Sequence, residues 1–219
     1  MAVTELARLR LLAGTEPSSP ELLAGLAQAK EVMQQSSGFD FWFYQCVETP
    51  HVIFILGSWP SVQFHMQEFI PSQPNQDLLA LLKDQITVEW MFHLDIDQSS
   101  TPLPLNRGMV AVDRHVISDG QKEAFQSTFE KSKHGLGSFI DGPNHVVGGW
   151  RIEEGYDPSL EGDEAKAEFV LFTAWDSVEH HLEFQRQEGF QNYSQIRKHT
   201  DAVDITHAKL FNVQAEVLK

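Results

Sequence analysis

The chemistry open to this chain of 219 residues rests on ten histidines and one cysteine. A single cysteine, Cys46, makes neither an intrachain disulfide nor a cysteine-based zinc site. It lies in an aromatic run and reads as a small packing group. The histidines show no H-x-H, H-x-x-x-H or H-E-x-x-H spacing, and His180 and His181, adjacent on a helix, point about 100° apart. No metal site is expected. A G-x-S-x-G nucleophile motif is absent, and the glycines of HGLGSFIDGPNH (134–145) fit neither a dinucleotide nor a phosphate loop, so that stretch reads as a pocket rim. General acid–base chemistry remains, because a neutral imidazole takes a proton near pH 7 without large tuning.

Two histidines are the candidate bases. His65 follows Trp59 at a helix start and has Glu68 three residues on, within reach of a helical carboxylate–imidazole pair. His93 lies on a strand over 86–96. Side chains alternate along a strand, so Glu89, Met91 and His93 share one face, and Trp90, Phe92 and Leu94 the other. Glu89 and His93 then form an acid–base couple on a polar patch, or else sit on a half-exposed edge. In the later part of the chain Asp204 and His207 fall on opposite faces, so the couple is not duplicated. Trp59, Trp90, Phe41, Phe43, Trp175 and His181 are candidate walls of an apolar pocket, with a purely packing role as the alternative for the tryptophans and helix histidines. Arg114 offers a clamp for a carboxylate or phenolate, in competition with pairing to Asp113 or another acid.

The elements that must position these groups come twice. Strand 3–12 precedes a helix opened by Ser19-Pro20-Glu21, in which Leu22, Leu26, Ala29 and Met33 fall on one face and which Gly38 ends. Strands follow at 39–47 and 51–57, then a helix from Trp59-Pro60-Ser61 to about Phe69, broken by Pro71 and Pro74. A short helix over 76–84 and the strand 86–96 complete the half. After a proline-rich linker (98–106) the order returns: strand 109–117, a helix entered through the capping-box spacing Ser118 to Gln121, strand 145–152, an acidic loop 153–165, strand 166–174, helix 176–198 with a break near Gly189, and strand 201–213. Within this frame WPSVQFHM (59–66) matches WDSVEHHL (175–182), pairing Trp59 with Trp175, Ser61 with Ser177, and His65 with His181.

Each half therefore reads β-α-β-β-α-β, a four-stranded antiparallel sheet with helices on one face. The fold class is α+β, a tandem of ferredoxin-like repeats over 1–104 and 105–219 forming an α+β barrel. The second apolar face of each sheet needs cover, and two sheets facing one another would enclose a hollow for a small molecule. The strand–tryptophan–helix element with its histidine resembles the dimeric α+β barrel superfamily, above all its antibiotic-biosynthesis-monooxygenase-like branch in a fused form. That superfamily includes cofactor-independent oxygenases of phenolic polyketides, haem-degrading enzymes and polyketide cyclases. The resemblance implies an enzyme of secondary metabolism, without a cofactor, in which a histidine deprotonates a flat aromatic or polyketide-like substrate for reaction with oxygen, and a tryptophan near Trp59 helps hold it. The resembled oxygenases commonly place an asparagine on an early or third strand. The strands at 3–12 and 51–57 carry none, which shifts weight towards a non-oxidative cyclase or lyase using the same base. A non-catalytic binding barrel is the third reading.

Composition agrees with a globular protein: 42% hydrophobic and 21% charged residues, with 15 phenylalanines to bury. The net charge is −15, and neither half is basic: 1–104 carries 4 basic and 12 acidic side chains, 105–219 carries 12 and 19. Nucleic acid and anionic membrane surfaces are therefore disfavoured partners. With no stretch of ~18 apolar residues and no signal-like start, the expectation is a cytoplasmic protein, with room for pairing into homodimers.

Overall fold

The computed structural model describes residues 1–105, 107–153 and 166–213. They fall into two compact units, Met1–Gln98 together with residues 209–213, and Ser99–Ala208. The acidic loop expected at 153–165 lies, from residue 154 onward, outside the described residues.

In the first unit β1 (Val3–Leu11), β2 (Phe41–Cys46), β3 (Val52–Trp59) and β4 (Ile86–Leu94) form an antiparallel sheet in the order β4-β1-β3-β2. Helix α1 (Pro20–Ser37) starts where expected: Ser19 Oγ accepts the Leu22 N–H, Pro20 occupies the first turn, and Gly38, at φ 79°, ends it in the left-handed conformation. Its buried Leu22, Leu26, Ala29 and Met33 lie in one core with Leu9, Leu11, Phe43 and Ile53. Phe211 and Val213 join that core, and the Phe211 N–H donates to Phe43 O at 2.8 Å.

Two helix boundaries differ from the sequence expectation. Trp59 ends β3 instead of opening a helix, and the turn after it is π-helical over Phe64–Phe69, with the Ile70 N–H bonded to His65 O. Pro74 does not break a helix. It sits in the first turn of α2 (Gln73–Leu82), where its missing N–H costs nothing, behind Ser72, whose Oγ accepts the Asn75 N–H.

The second unit repeats the plan with β5 (Met109–Ile117), α3 (Lys122–Phe139), β6 (Val146–Trp150), β7 (Glu168–Trp175), α4 (Val178–Phe184), α5 (Glu188–Tyr193), a 3-10 turn (Ser194–His199) and β8 (Thr200–Leu210). Its antiparallel sheet runs β8-β5-β7-β6. Ser118 does not build a capping box, because its hydroxyl bonds Asp201, and α3 begins without a side-chain cap. Most of the stretch read as a pocket rim is helix. Gly135 lies inside α3, where a Cβ would come within 3.2 Å of the Gly189 backbone; two glycines let α3 and α5 touch. No helix among the described residues is long and apolar enough to cross a membrane.

Candidate active site

The repeated W-x-S-V-x-x-H has a local physical meaning. In both copies the tryptophan ends a strand, the serine hydroxyl accepts the N–H three residues on (Ser61 from Phe64, Ser177 from His180), and the turn returns the histidine onto the indole. His65 stacks on Trp59 with centroids 4.1 Å apart and planes 10° from parallel, and His181 on Trp175 at 4.2 Å and 12°. Each then meets a histidine of the unit's last strand: His65 Nδ1 lies 2.7 Å from His93 Nε2, and His181 Nδ1 lies 2.8 Å from His207 Nε2. One nitrogen of each pair donates and the other accepts, so the tautomer of one ring sets that of its partner.

The two copies diverge where the strands face these rings. In the first unit Glu5 of β1 pairs in register with both His93 and Gly57. Glu5 is 4% exposed and accepts the Trp59 Nε1–H at 2.5 Å, with His65 Nε2 at 3.9 Å from the same carboxylate. In the second unit Ala111 stands at that register position and Thr173 at that of Gly57, and Trp175 donates to Thr173 Oγ1 instead. Among the described residues only the first copy has a carboxylate at this register position. Burial pushes the Glu5 carboxyl above its ordinary range, against the Trp59 hydrogen bond and the charge of His93, which pull it down.

A cavity of about 480 Å³ opens beside this group, within the first unit, between the sheet and α1, α2 and the π-helical turn. This volume suits a small organic ligand. Fifteen of its twenty lining residues are apolar; the polar ones are Glu5, His65, Asn75, Lys83 and Thr87. The expected hollow between two sheets is not needed for a pocket here. Small side chains, Ala7 on β1 and Ala29 on α1, are among those that line the space between the sheet and the helices.

The structure sorts the expected site residues into three groups. His65 and Phe43 line the cavity, while His93, Trp59 and Phe41 back it: His93 through its bond to His65, Trp59 through the stack, and Phe41 edge-on to Trp59 at 5.2 Å. Phe41 also explains Gly57, because a Cβ there would strike the Phe41 ring. Glu89 and Trp90 are separated from His93. A β-bulge between Arg8 and Leu9 leaves Glu89 without a register partner and turns it to Arg8, at 2.8 Å, and Arg10 on the sheet face away from the helices. Trp90 stacks there on Phe92 at 5.1 Å. Arg114, Trp175 and His181 belong to the second unit, where Arg114 is held by Glu168. Glu68 is exposed and takes no part; the carboxylate near His65 is Glu5, which strand alternation alone did not single out.

The second unit uses the matching positions differently. Asp113 and His115 replace Ala7 and Leu9 in register, and both are buried. Burial raises the Asp113 carboxyl to about 7, with Arg197 opposing and Asp204 assisting, and lowers His115 to about 4, with Arg197 assisting. The raised carboxyl makes stability fall as pH rises through its window, from about 4 to about 7; the depressed imidazole makes it fall as pH drops from 6.5 towards 4. The two contributions oppose each other. Relative to the wild type, the Asp113→Asn variant should gain stability steadily from pH 4 to 7, by roughly 4 kcal/mol at most. Urea midpoints across pH check this, and parallel curves for the two proteins would refute it.

No known family profile matches the sequence, and no curated protein matches it. Solved structures do. A candidate monooxygenase from Fusobacterium nucleatum superposes with a TM-score of 0.61 over 96% of this chain and 92% of its own, at 8% identity. A candidate chlorite dismutase gives 0.61 over 95% and 94%, at 13% identity. An anthrone oxidase-like protein gives 0.57 over 95% and 91%, at 11% identity. Likeness at these identities shows the fold, a ferredoxin-like α+β unit used twice.

Proposed function

We propose that the first unit is an oxygenase-like enzyme in which His65 takes a proton from a flat, apolar, aromatic or polyketide-like substrate and the resulting anion reacts directly with dioxygen, without a cofactor. The observation that carries this reading is His65 itself: a histidine on the wall of an apolar cavity, bonded through Nδ1 to a second buried histidine, with Nε2 beside a buried carboxylate. Proton uptake at Nε2 is favoured when Nδ1 can donate to His93 Nε2. The likeness to monooxygenase-type and anthrone oxidase-like structures supports the class. For a substrate methylene, proton loss gives a carbanion and dioxygen adds to it as a peroxide. Glu5 or protonated His65 returns a proton, and loss of water with the second C–H proton leaves a ketone. One oxygen atom enters the product and the other leaves as water.

The Glu5–His65 pair also favours a second reading. Two acid–base groups on one wall can remove a proton at one atom and return it at another, as a non-oxidative cyclase or lyase requires. Asn75 lines the cavity too, but from α2, and its Nδ2 donates to Ile70 O at 2.8 Å. Oxygen uptake with a panel of anthrones and polyketide thioesters separates the readings. Oxygen consumed with one oxygen atom gained in product supports the first. Turnover without oxygen supports the second, and tight binding without turnover leaves a binding barrel. A cytoplasmic enzyme of secondary metabolism, able to pair as a homodimer, is the setting that fits this proposal.

A further inference from the structure

The cavity has two unlike ends, and their separation can be read from the strand register. Glu5 pairs with His93 at one end, while Arg10 pairs with Thr87 at the other, five residues along β1 or about 17 Å. Thr87 lines the cavity, as does Lys83, the C-cap residue of α2. Lys83 is the only cationic residue in the lining, and it forms no ion pair among the described residues. The wall between the two ends is apolar, with Leu9, Leu26, Met33, Phe43 and Leu78 facing the space.

We infer that the ligand of this cavity is an apolar acid: a flat or elongated hydrocarbon body carrying a carboxylate or phenolate at the end away from the reacting carbon, with that anionic group at Lys83. Glu5 and Lys83 together set the orientation. An anionic head is attracted to Lys83 and meets only a buried carboxyl at the Glu5 end, so the body lies along β1 and its far edge meets His65. This deepens the proposed function and rests on the cavity being its substrate site.

Anthracene-2-carboxylate, its methyl ester and its primary amide are suitable fluorescent probes for the full chain. The wild type should bind the acid about three- to ten-fold more tightly than the amide or ester, a preference in the range of an exposed ion pair that shrinks with added salt. Lys83→Met should abolish the preference without weakening the neutral probes, and Lys83→Glu should reverse it. Because Lys83 is exposed, these variants should fold, and an unchanged thermal midpoint verifies it. Equal binding of acid and amide by the wild type, or a preference that survives Lys83→Met, overturns the inference and leaves the cavity as a neutral-ligand site. Failure of all three probes to bind overturns the inference together with the proposed substrate site.

Discussion

Replacing His65 with alanine is expected to lower turnover of an accepted substrate by about 10²–10⁴-fold, the usual contribution of a positioned acid–base group. The substitution also removes the ring stacked on Trp59 and the partner of His93, so lost packing must be separated from lost chemistry. The duplication supplies the control. His181 makes the same stack on Trp175 and the same bond to a strand histidine, but it lies in the second unit, where Ala111 stands at the position of Glu5. His181→Ala should therefore produce a similar shift in thermal midpoint while retaining most of the activity. Glu5→Gln keeps an acceptor for the Trp59 Nε1–H and removes the titrating group, so it should change the pH profile of kcat more than the fold. If His65→Ala and His181→Ala lose activity equally, His65 is a packing residue and the proton-transfer proposal fails.

The largest effect on stability is expected at Glu168. Its carboxylate holds Arg114 Nε at 2.5 Å and Arg151 Nη1 at 3.1 Å, with side-chain exposures of only 8% for Arg114 and 5% for Glu168. Removing one partner of a buried charge pair leaves the others poorly solvated and costs about 3–5 kcal/mol. Glu168→Ala should show that loss in the denaturant midpoint of the second unit, since Glu168 begins β7, bonded on both sides by β5 and β6. The first unit offers the comparison: Arg8 and Glu89 are each 24% exposed, so solvent screens them, and Glu89→Ala should cost only about 0–1 kcal/mol. Losses of equal size at the two positions would mean that water reaches the Glu168 network.

Local interactions made much of this protein legible before any coordinates. Ser19, Pro20 and Gly38 bound a helix because capping and left-handed geometry act within a few residues. The recurring W-x-S-V-x-x-H announces two copies of one element because the serine cap and the tryptophan–histidine stack close within a single turn. Sequence alone thus determined the order of elements, their duplication and His65 as a candidate base. What depended on pairing between distant strands was decided only by the tertiary structure. Glu5 reaches Trp59 and His65 because β1 lies between β3 and β4, and Glu89 leaves His93 because a bulge in the β1–β4 ladder breaks the alternation that a single strand implies. The place of the cavity followed the same rule. Which face of a sheet encloses space depends on how the helices pack on it, and here small residues, Ala7 on β1 and Ala29 on α1, line the space that is left.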